Sequence, residues 1–390
     1  MSTKKDDAAL LGVAKKSIEK EFGHVVKWLG EAAQEEREFI PTGCLGLDNA
    51  LGQGGLERGL IAEFFGRSGA GKSFLGYSLI KQAALKGYKA AIIDAENSLD
   101  PQLLLNIGLP ADSVVIVEGA PTGEANLEIA DKLMQTGEFA VIMIDSVAAL
   151  VPKARTEDDY DRQTMGLHAR LMSAGIQKIQ PVAKKTNTLL LFINQIRNKI
   201  GSYGNPQTTT GGEALGFYAS YRIEVIGSPQ QKTRRLMDES TGELYGHHTT
   251  FKVVKNKRAA PYREAEVDLI YGLGYDVVGE LLDLGVDVGA VDKAGTWISY
   301  GEHRWQGRDK AKLALMANPN LQNEIEMQIK RIISGSLVTK LLSSKDQTEE
   351  QVQPETETVN GGEVEKSTPG VSLESRKKEN ADKKKKRISK

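Results

Sequence analysis

Five short apolar runs, at 60–65, 90–93, 114–117, 140–144 and 188–193, are separated mostly by stretches of helical character. This alternation leaves few architectures open, because strand, helix and strand in succession make right-handed crossovers within one mostly parallel sheet. The expected fold is therefore α/β, with a sheet buried on both faces. Between the first run and the next helix stands Gly66-Arg67-Ser68-Gly69-Ala70-Gly71-Lys72-Ser73, which has the spacing and setting of a phosphate-binding loop. Glycines free the backbone to wrap phosphate oxygens, and the helix amino terminus adds partial positive charge. Lys72 is placed to reach the β- and γ-phosphates, and Ser73 to hold magnesium. The ligand class is a nucleoside triphosphate, and the motif is silent about its purpose.

The run at 140–144 ends in Asp145, an arrangement that supports magnesium through water. The run at 90–93 is followed by Asp94 and Glu96. Glu96 is the candidate base that orients or deprotonates a water attacking the γ-phosphate, and Asp94 is the competing choice. The run at 188–193 leads into 194–212, a polar, glycine-rich segment carrying Arg197 and Lys199. Asn194 and Gln195 thus stand at a strand's carboxyl end, where ligands bind in open α/β sheets. Gln195 reads either as a sensor of the γ-phosphate that moves the loop behind it or as an ordinary polar strand cap. The segment 155–170, with Asp158, Asp159 and Asp161 ahead of Met165-Gly-Leu-His-Ala-Arg170, reads either as a solvated loop with a helix start or as a DNA contact. Lys255 and Lys257 are either solvated or set to neutralise phosphate charge across a subunit interface.

At 390 residues the chain has room for one large domain, a smaller one and tails. A formal charge of -1 means that any nucleic-acid binding must come from local patches. Cys44 is the only cysteine, which excludes an intramolecular disulfide and a zinc site built on several cysteines, and suits a reducing cytoplasm. No apolar run approaches the ~18 residues of a membrane span, so no membrane partner is expected. An amphipathic helix is expected over 7–29, with Leu11, Ala14, Ile18 and Phe22 at helical spacing. It either caps its own domain or serves as an arm for a neighbour. The expected divisions are 1–34 for this helix, 35–270 for the core, and 271–335 for a small domain. Hairpin strands are expected in the core at 221–225 and 249–254, and the small domain reads as short helices and turns around Trp297, Tyr300 and Trp305. It ends in a helix presenting Ile325, Ile329, Ile332 and Ile333. Residues 336–390, acidic and then basic, read as a disordered tail.

Assembled, these segments resemble the bacterial RecA recombinase family. The likeness is carried by Ile18-Glu-Lys-Glu-Phe-Gly23, Thr42-Gly-Cys-Leu-Gly-Leu-Asp48, Ile93-Asp-Ala-Glu-Asn-Ser-Leu-Asp-Pro101 and Asp145-Ser-Val-Ala-Ala-Leu-Val-Pro-Lys153. It continues through Phe192-Ile-Asn-Gln-Ile-Arg197, Gly204-Asn-Pro-Gln-Thr-Thr-Thr-Gly-Gly212 and Val253-Val-Lys-Asn-Lys-Arg-Ala-Ala-Pro261, and covers roughly residues 10–333. Many ATPases share the phosphate loop, whereas 192–212 and 253–261 are specific to this family.

The resemblance implies a RecA-type ATPase core with an amino-terminal polymerisation arm and a small α+β carboxyl-terminal domain. It implies an ATP- and Mg2+-dependent recombinase that forms a helical filament on single-stranded DNA, pairs it with homologous duplex DNA and exchanges strands, with DNA-stimulated hydrolysis. Roles in recombination, DNA repair and the SOS response follow, as do self-association, recombination mediators and single-strand binding protein as partners. Gly66 to Ser73 and Asp145 would bind Mg-ATP between protomers, Glu96 would activate water, and Lys255 and Lys257 would complete the neighbour's site. Gln195 would transmit nucleotide status to 196–212, which with 156–166 lines the DNA. Met165, Gly166, Arg170, Ser173, Arg197, Asn198, Lys199, Ile200, Thr210, Gly211 and Gly212 match DNA-contacting positions.

Departures from the family pattern are specific. Leu103 stands where a tyrosine usually stacks on adenine, so stacking becomes apolar packing, with Asp100 available nearby. Arg67 and Ser68 replace Pro-Glu, and Gln207 a glutamate. Glu213 and Gly216 replace asparagine and lysine, lowering positive charge beside the DNA groove. The lysine-rich end at 376–390 would recruit DNA or neutralise the acidic stretch, against the plain reading of a solvated tail. Two rival functions share the core: a hexameric RecA-fold motor that unwinds DNA, and an ATP-gated scaffold that coats DNA and signals.

Overall fold

A computed structural model of the chain describes residues 4–23, 25–156, 166–198, 207–228 and 230–349. The chain divides into two units, 1–336 and 337–390. In the first unit six parallel strands form the centre of a sheet: β1 (Ile61–Gly66), β2 (Lys89–Asp94), β3 (Val114–Glu118), β4 (Phe139–Asp145), β5 (Leu189–Asn198) and β6 (Tyr221–Ile226), in the order β6-β1-β5-β4-β2-β3. Three antiparallel strands extend it beyond β6, namely β7 (Leu244–Asn256), β8 (Glu264–Ile270) and β9 (Gly274–Tyr275). The mostly parallel α/β architecture expected from the alternation is thus the one observed.

The continuous apolar runs follow from burial on both faces. Along β5, Leu189, Leu191 and Ile193 join one core cluster while Leu190 and Phe192 join the other, and along β4 Val141 and Met143 face away from Ile142 and Ile144. Successive side chains alternate faces, so a strand covered on both sides has no polar face to show. The first cluster packs under helix α1 (Lys72–Leu85), through Leu75, Leu79 and Ile80; the second under α2 (Gly123–Gln135) and α3 (Leu167–Lys185), through Leu127, Met134, Ile176 and Ile179.

The amino-terminal helix, Lys4–Phe22, stops seven residues short of the expected end, and a separate short helix follows at Leu29–Ala33. Gly23, with a left-handed φ of 77°, ends it. Its Leu11 and Phe22 are 51% and 64% exposed.

The carboxyl-terminal lobe corrects one expectation. Around Trp297, Tyr300 and Trp305 the chain forms a three-stranded antiparallel sheet, Asp292–Ala294, Trp297–Tyr300 and His303–Gln306, rather than short helices and turns. Two-residue turns pair Ala294 with Trp297 and Tyr300 with His303, and each opens on a glycine of positive φ, Gly295 and Gly301. A third cluster, including Leu282, Val291, Ile298 and Leu315, also takes in Ile325 and Ile329, with Ile332 and Ile333 packed against it, so all four isoleucines face this core. The final helix is Pro319–Glu349. The helical residues past 335 lie in the segment 336–390 expected as a tail, where Leu337, Val338, Leu341 and Leu342 suit a helix by sequence. The remainder of that expected tail lies outside the described residues.

One buried carboxylate of the lobe is tied to the core. Glu280, on the helix Val277–Asp287, accepts hydrogen bonds from the backbone N–H of Leu45 and of Gly46, each at 2.9 Å, at the start of helix Leu45–Leu51. Burial pushes the Glu280 carboxyl up to about 8, against the pull of those two bonds, and pushes neighbouring Asp48 up to about 7. Both carboxyls bind a proton more tightly folded than unfolded, so stability is fully present below the unfolded carboxyl range and is lost as pH rises through about 8. Urea unfolding at several pH values should show a midpoint that falls from about pH 5 to about pH 8. Glu280→Gln should flatten that slope and, by leaving one buried N–H facing an amide donor, cost about 1–3 kcal/mol. An equal slope in both proteins would remove Glu280 from the linkage.

Candidate functional site

The carboxyl edge of the parallel strands brings the motif residues together. Gly66 pairs with Gln195 on one side and Val225 on the other, and Asp94 pairs with Asp145. The phosphate loop bends through Gly69 and Gly71, with φ of 73° and 99°, and Gly71 is the N-cap of α1. A Cβ on Gly71 would lie 2.6 Å from the Tyr275 hydroxyl, which donates to the Gly71 carbonyl at 2.9 Å. Ala70 is buried, while Arg67, Ser68 and Gly69 are exposed. Lys72 is buried with its Nζ donating to the Arg67 carbonyl at 2.8 Å. Burial pushes its ammonium below the usual lysine range, while Asp145 and Glu96 pull the other way. A multiply charged anion in the loop would be the natural partner of that cation.

Asp145 is pushed up to about 6, above all by burial; the Ser73 hydroxyl donates to it and, with Lys72, lowers it, while Glu96 and Asp94 raise it. Among the described residues no group of three or more His, Cys, Asp or Glu could hold a metal. One hydroxyl beside one carboxylate fits a magnesium ion that takes the rest of its shell from water and from the ligand's phosphate oxygens. The loop and this pair therefore fit Mg-nucleoside triphosphate.

The two competing acids separate by what they touch. Asp94 is buried and its Oδ2 accepts the Leu99 N–H at 2.8 Å, so it holds the turn after β2. Glu96 is exposed, and its Oε1 accepts from Gln195 Nε2 at 3.2 Å and from the Ser146 hydroxyl. Ser146 is a contact that motif reading missed; its only signal is that it directly follows Asp145. Asp100 caps the helix Pro101–Asn106 by accepting from Gln102 N at 2.9 Å, and Leu103 is half-buried on that helix.

Behind Gln195 a buried network reaches the loop. Asn194 Nδ2 donates to Glu63 Oε1 at 2.8 Å and to the Thr210 carbonyl at 3.0 Å, while Thr210 N donates to the Gln195 carbonyl at 3.2 Å. Residues Ile196, Arg197 and Asn198 pair antiparallel with Thr209, Thr208 and Gln207. Gly211 is buried with φ 88°, and a Cβ there would come 3.0 Å from Met172 and 3.1 Å from Val147. The return of the loop thus rests on α3, whose Gly166 forms its N-cap and whose Arg170 is exposed and Ser173 half-buried. Arg197 is exposed and Gly212 half-buried. Met165, Lys199 and Ile200 lie outside the described residues.

The antiparallel side carries the lysines. Lys255 pairs with Arg222 across β7 and β6, and Arg222 pairs with Glu63, three residues before Gly66 on β1. At strand rise that sets Lys255 about 10 Å back from the phosphate loop of its own chain. Its Nζ donates to the carbonyls of Gly216 at 2.7 Å and Phe217 at 2.9 Å, and burial, then Lys257 and Arg222, hold its ammonium below the usual range. Lys257 is exposed. Beside them a cavity of about 450 Å3 is lined by Phe65, Ile196, Phe217, Arg222 and Glu224 among others.

Among the described residues no helix is long and apolar enough to cross a membrane. A family model described as RecA N-terminal domain matches residues 9–276, and one described as RecA C-terminal domain matches residues 279–334. The chain is 45% identical over 319 residues to Protein RecA of Thermus thermophilus, covering 81% of this chain and 92% of that protein. It is 42% identical over 342 residues to Protein RecA of Gluconobacter oxydans, covering 86% and 96%, and 42% identical over 329 residues to Protein RecA of Caulobacter vibrioides, covering 84% and 90%. With both domain models matched in order and such relatives aligned nearly end to end, the chain belongs to the RecA family, the DNA-dependent ATPases of homologous recombination and DNA repair.

Proposed function

We propose that this chain binds Mg-ATP at the phosphate loop, with Gly66 to Ser73 around the phosphates, Lys72 on the β- and γ-oxygens, and Ser73 and Asp145 on the magnesium. When bound, Mg-ATP supplies the γ-phosphoryl group that passes to water. Glu96 orients that water and takes its proton, and Gln195 reads whether the γ-phosphate is present. Asp100 and Leu103 lie on the base side. Single-stranded DNA runs along Arg170, Ser173, Arg197, Asn198 and Thr210, with Gly166, Gly211, Gly212 and the undescribed Met165, Lys199 and Ile200, and homologous duplex is its exchange partner. Lys255 and Lys257 complete the nucleotide site of a neighbouring protomer, and the helix Lys4–Phe22 docks its exposed Leu11, Ile18 and Phe22 on the next core. The divisions proposed are 1–34 for this arm, 35–270 for the ATPase and DNA-binding core, and 271–335 for the small lobe. The proposed setting is the cytoplasm, with mediators and single-strand binding protein as partners.

The observation that carries this reading is the bond from Gln195 to Glu96 at 3.2 Å, because Gln195 is also tied through its carbonyl to Thr210 at the return of the loop. One residue therefore touches the hydrolytic acid and the DNA segment. The test is ATP turnover with and without single-stranded DNA, imaged in parallel and followed by strand exchange. DNA-stimulated turnover, open helical filaments and exchange are expected. Closed rings would favour the hexameric motor, and normal filaments without exchange would favour the scaffold.

A further inference from the structure

We infer that Ser146 is the fixed half of a two-donor clamp that holds Glu96 out of action until Gln195 leaves it, which makes this serine a setting of how strongly turnover depends on DNA. The inference rests on the reading of Glu96 as the base. An ionised carboxylate is an acceptor only, and here a single oxygen, Oε1, takes both the Ser146 hydroxyl and the Gln195 amide. Two donors converging on one oxygen fix the direction of the whole group, and a base must be free to turn an oxygen toward its water.

The two donors differ in what lets them go. Gln195 stands opposite Gly66 at the carboxyl end of β5 and is half-buried, so rotation of its side chain can move its amide from Glu96 toward a phosphate in the loop. Its backbone is tied to Thr210, so DNA on that segment bears on the same residue. Ser146 has no such freedom. It is 1% exposed, its carbonyl accepts the Ala149 N–H at 3.0 Å, and the neighbouring Asp145 carbonyl accepts the Glu96 N–H at 3.3 Å. The serine does not leave with the glutamine. Once the glutamine has swung away it is the lone remaining donor and its bond to Glu96 yields last, so until then it adds to the resistance that ATP and DNA together must overcome. Ser146 touches Glu96 and not the reacting atoms, so it is a positioning residue.

The full-length protein is the material for the test. Ser146→Ala should raise kcat without DNA by about ten- to hundredfold, the span of one hydrogen bond to a charged acceptor. The KM for ATP should stay within about twofold, because the serine does not touch nucleotide. Stimulation by saturating single-stranded DNA should shrink by the same factor. Ser146→Cys, of nearly the same size and a weaker donor, should give an intermediate stimulation ratio, a graded result that a merely structural defect would not produce. A fall in both rates, or an unchanged ratio, would overturn the clamp. Glu96→Gln serves as the reference. If it is inactive while the Ser146→Ala ratio is unchanged, the clamp alone fails; if it still turns over ATP, the base assignment fails and takes the clamp with it.

Discussion

Glu96→Gln should lower DNA-stimulated ATP turnover by about 10²–10⁴-fold, the usual weight of a general base. The substitution keeps size and a carbonyl oxygen for Ser146 or Gln195, so nearby packing is conserved while the capacity to take a proton is lost. The phosphate loop, Ser73 and Asp145 are unchanged, so the Kd for Mg-ATP should stay within about twofold. Filaments on single-stranded DNA should then persist, because nucleotide that is not spent does not release the protein. Steady-state hydrolysis, a fluorescent nucleotide titration and electron microscopy check the three parts. A loss smaller than about tenfold would mean that Glu96 is not the base. The burden would then fall on Asp94, although its Oδ2 is engaged by the Leu99 N–H.

Arg222→Met should destabilise the protein by about 3–5 kcal/mol, measured by urea unfolding, because it leaves the Glu63 carboxylate buried without its cation. Glu63 is 0% exposed on β1, and its two oxygens divide between Arg222 Nε at 2.5 Å and Asn194 Nδ2 at 2.8 Å. The guanidinium also lies 4.7 Å over the Phe65 ring, a contact the methionine keeps only as apolar packing. The double variant Glu63→Gln/Arg222→Met should recover much of the loss, since it removes the stranded charge. Because Asn194 shares Glu63 with Arg222 and also holds the Thr210 carbonyl, the single variant should reduce stimulation by DNA more than basal turnover. A cost below about 1 kcal/mol would place Glu63 in a less demanding environment than its burial implies.

What sequence reading captured, and what it missed, follows from the range of the interactions. β1, β4 and β5 are legible because burial on both faces leaves an apolar run. Lys72, Ser73 and Asp145 are legible because phosphate chemistry fixes their spacing and their places at strand ends. The bond between Ser146 and Glu96 spans 50 positions and has no period, so nothing local announces it. The same holds for Glu63, which looks like a stray charge in an apolar strand until Arg222 and Asn194 arrive from β6 and β5. Gly211 is legible as a flexible loop glycine, but its closeness to Met172 and Val147 is a tertiary fact. In the small lobe the turn glycines Gly295 and Gly301 were the available signal for strands. Aromatic residues at irregular spacing concealed the alternation.

The setback of Lys255 from the phosphate loop of its own chain changes how working sites are counted. With the lysine roles proposed here, a lone protomer has none, and a run of n protomers has n − 1, because one terminal site always lacks its neighbour. A pair of protomers thus runs at half the turnover per chain of a long array. Fragmenting an array costs catalytic capacity at every break, even when every molecule remains folded and charged with nucleotide.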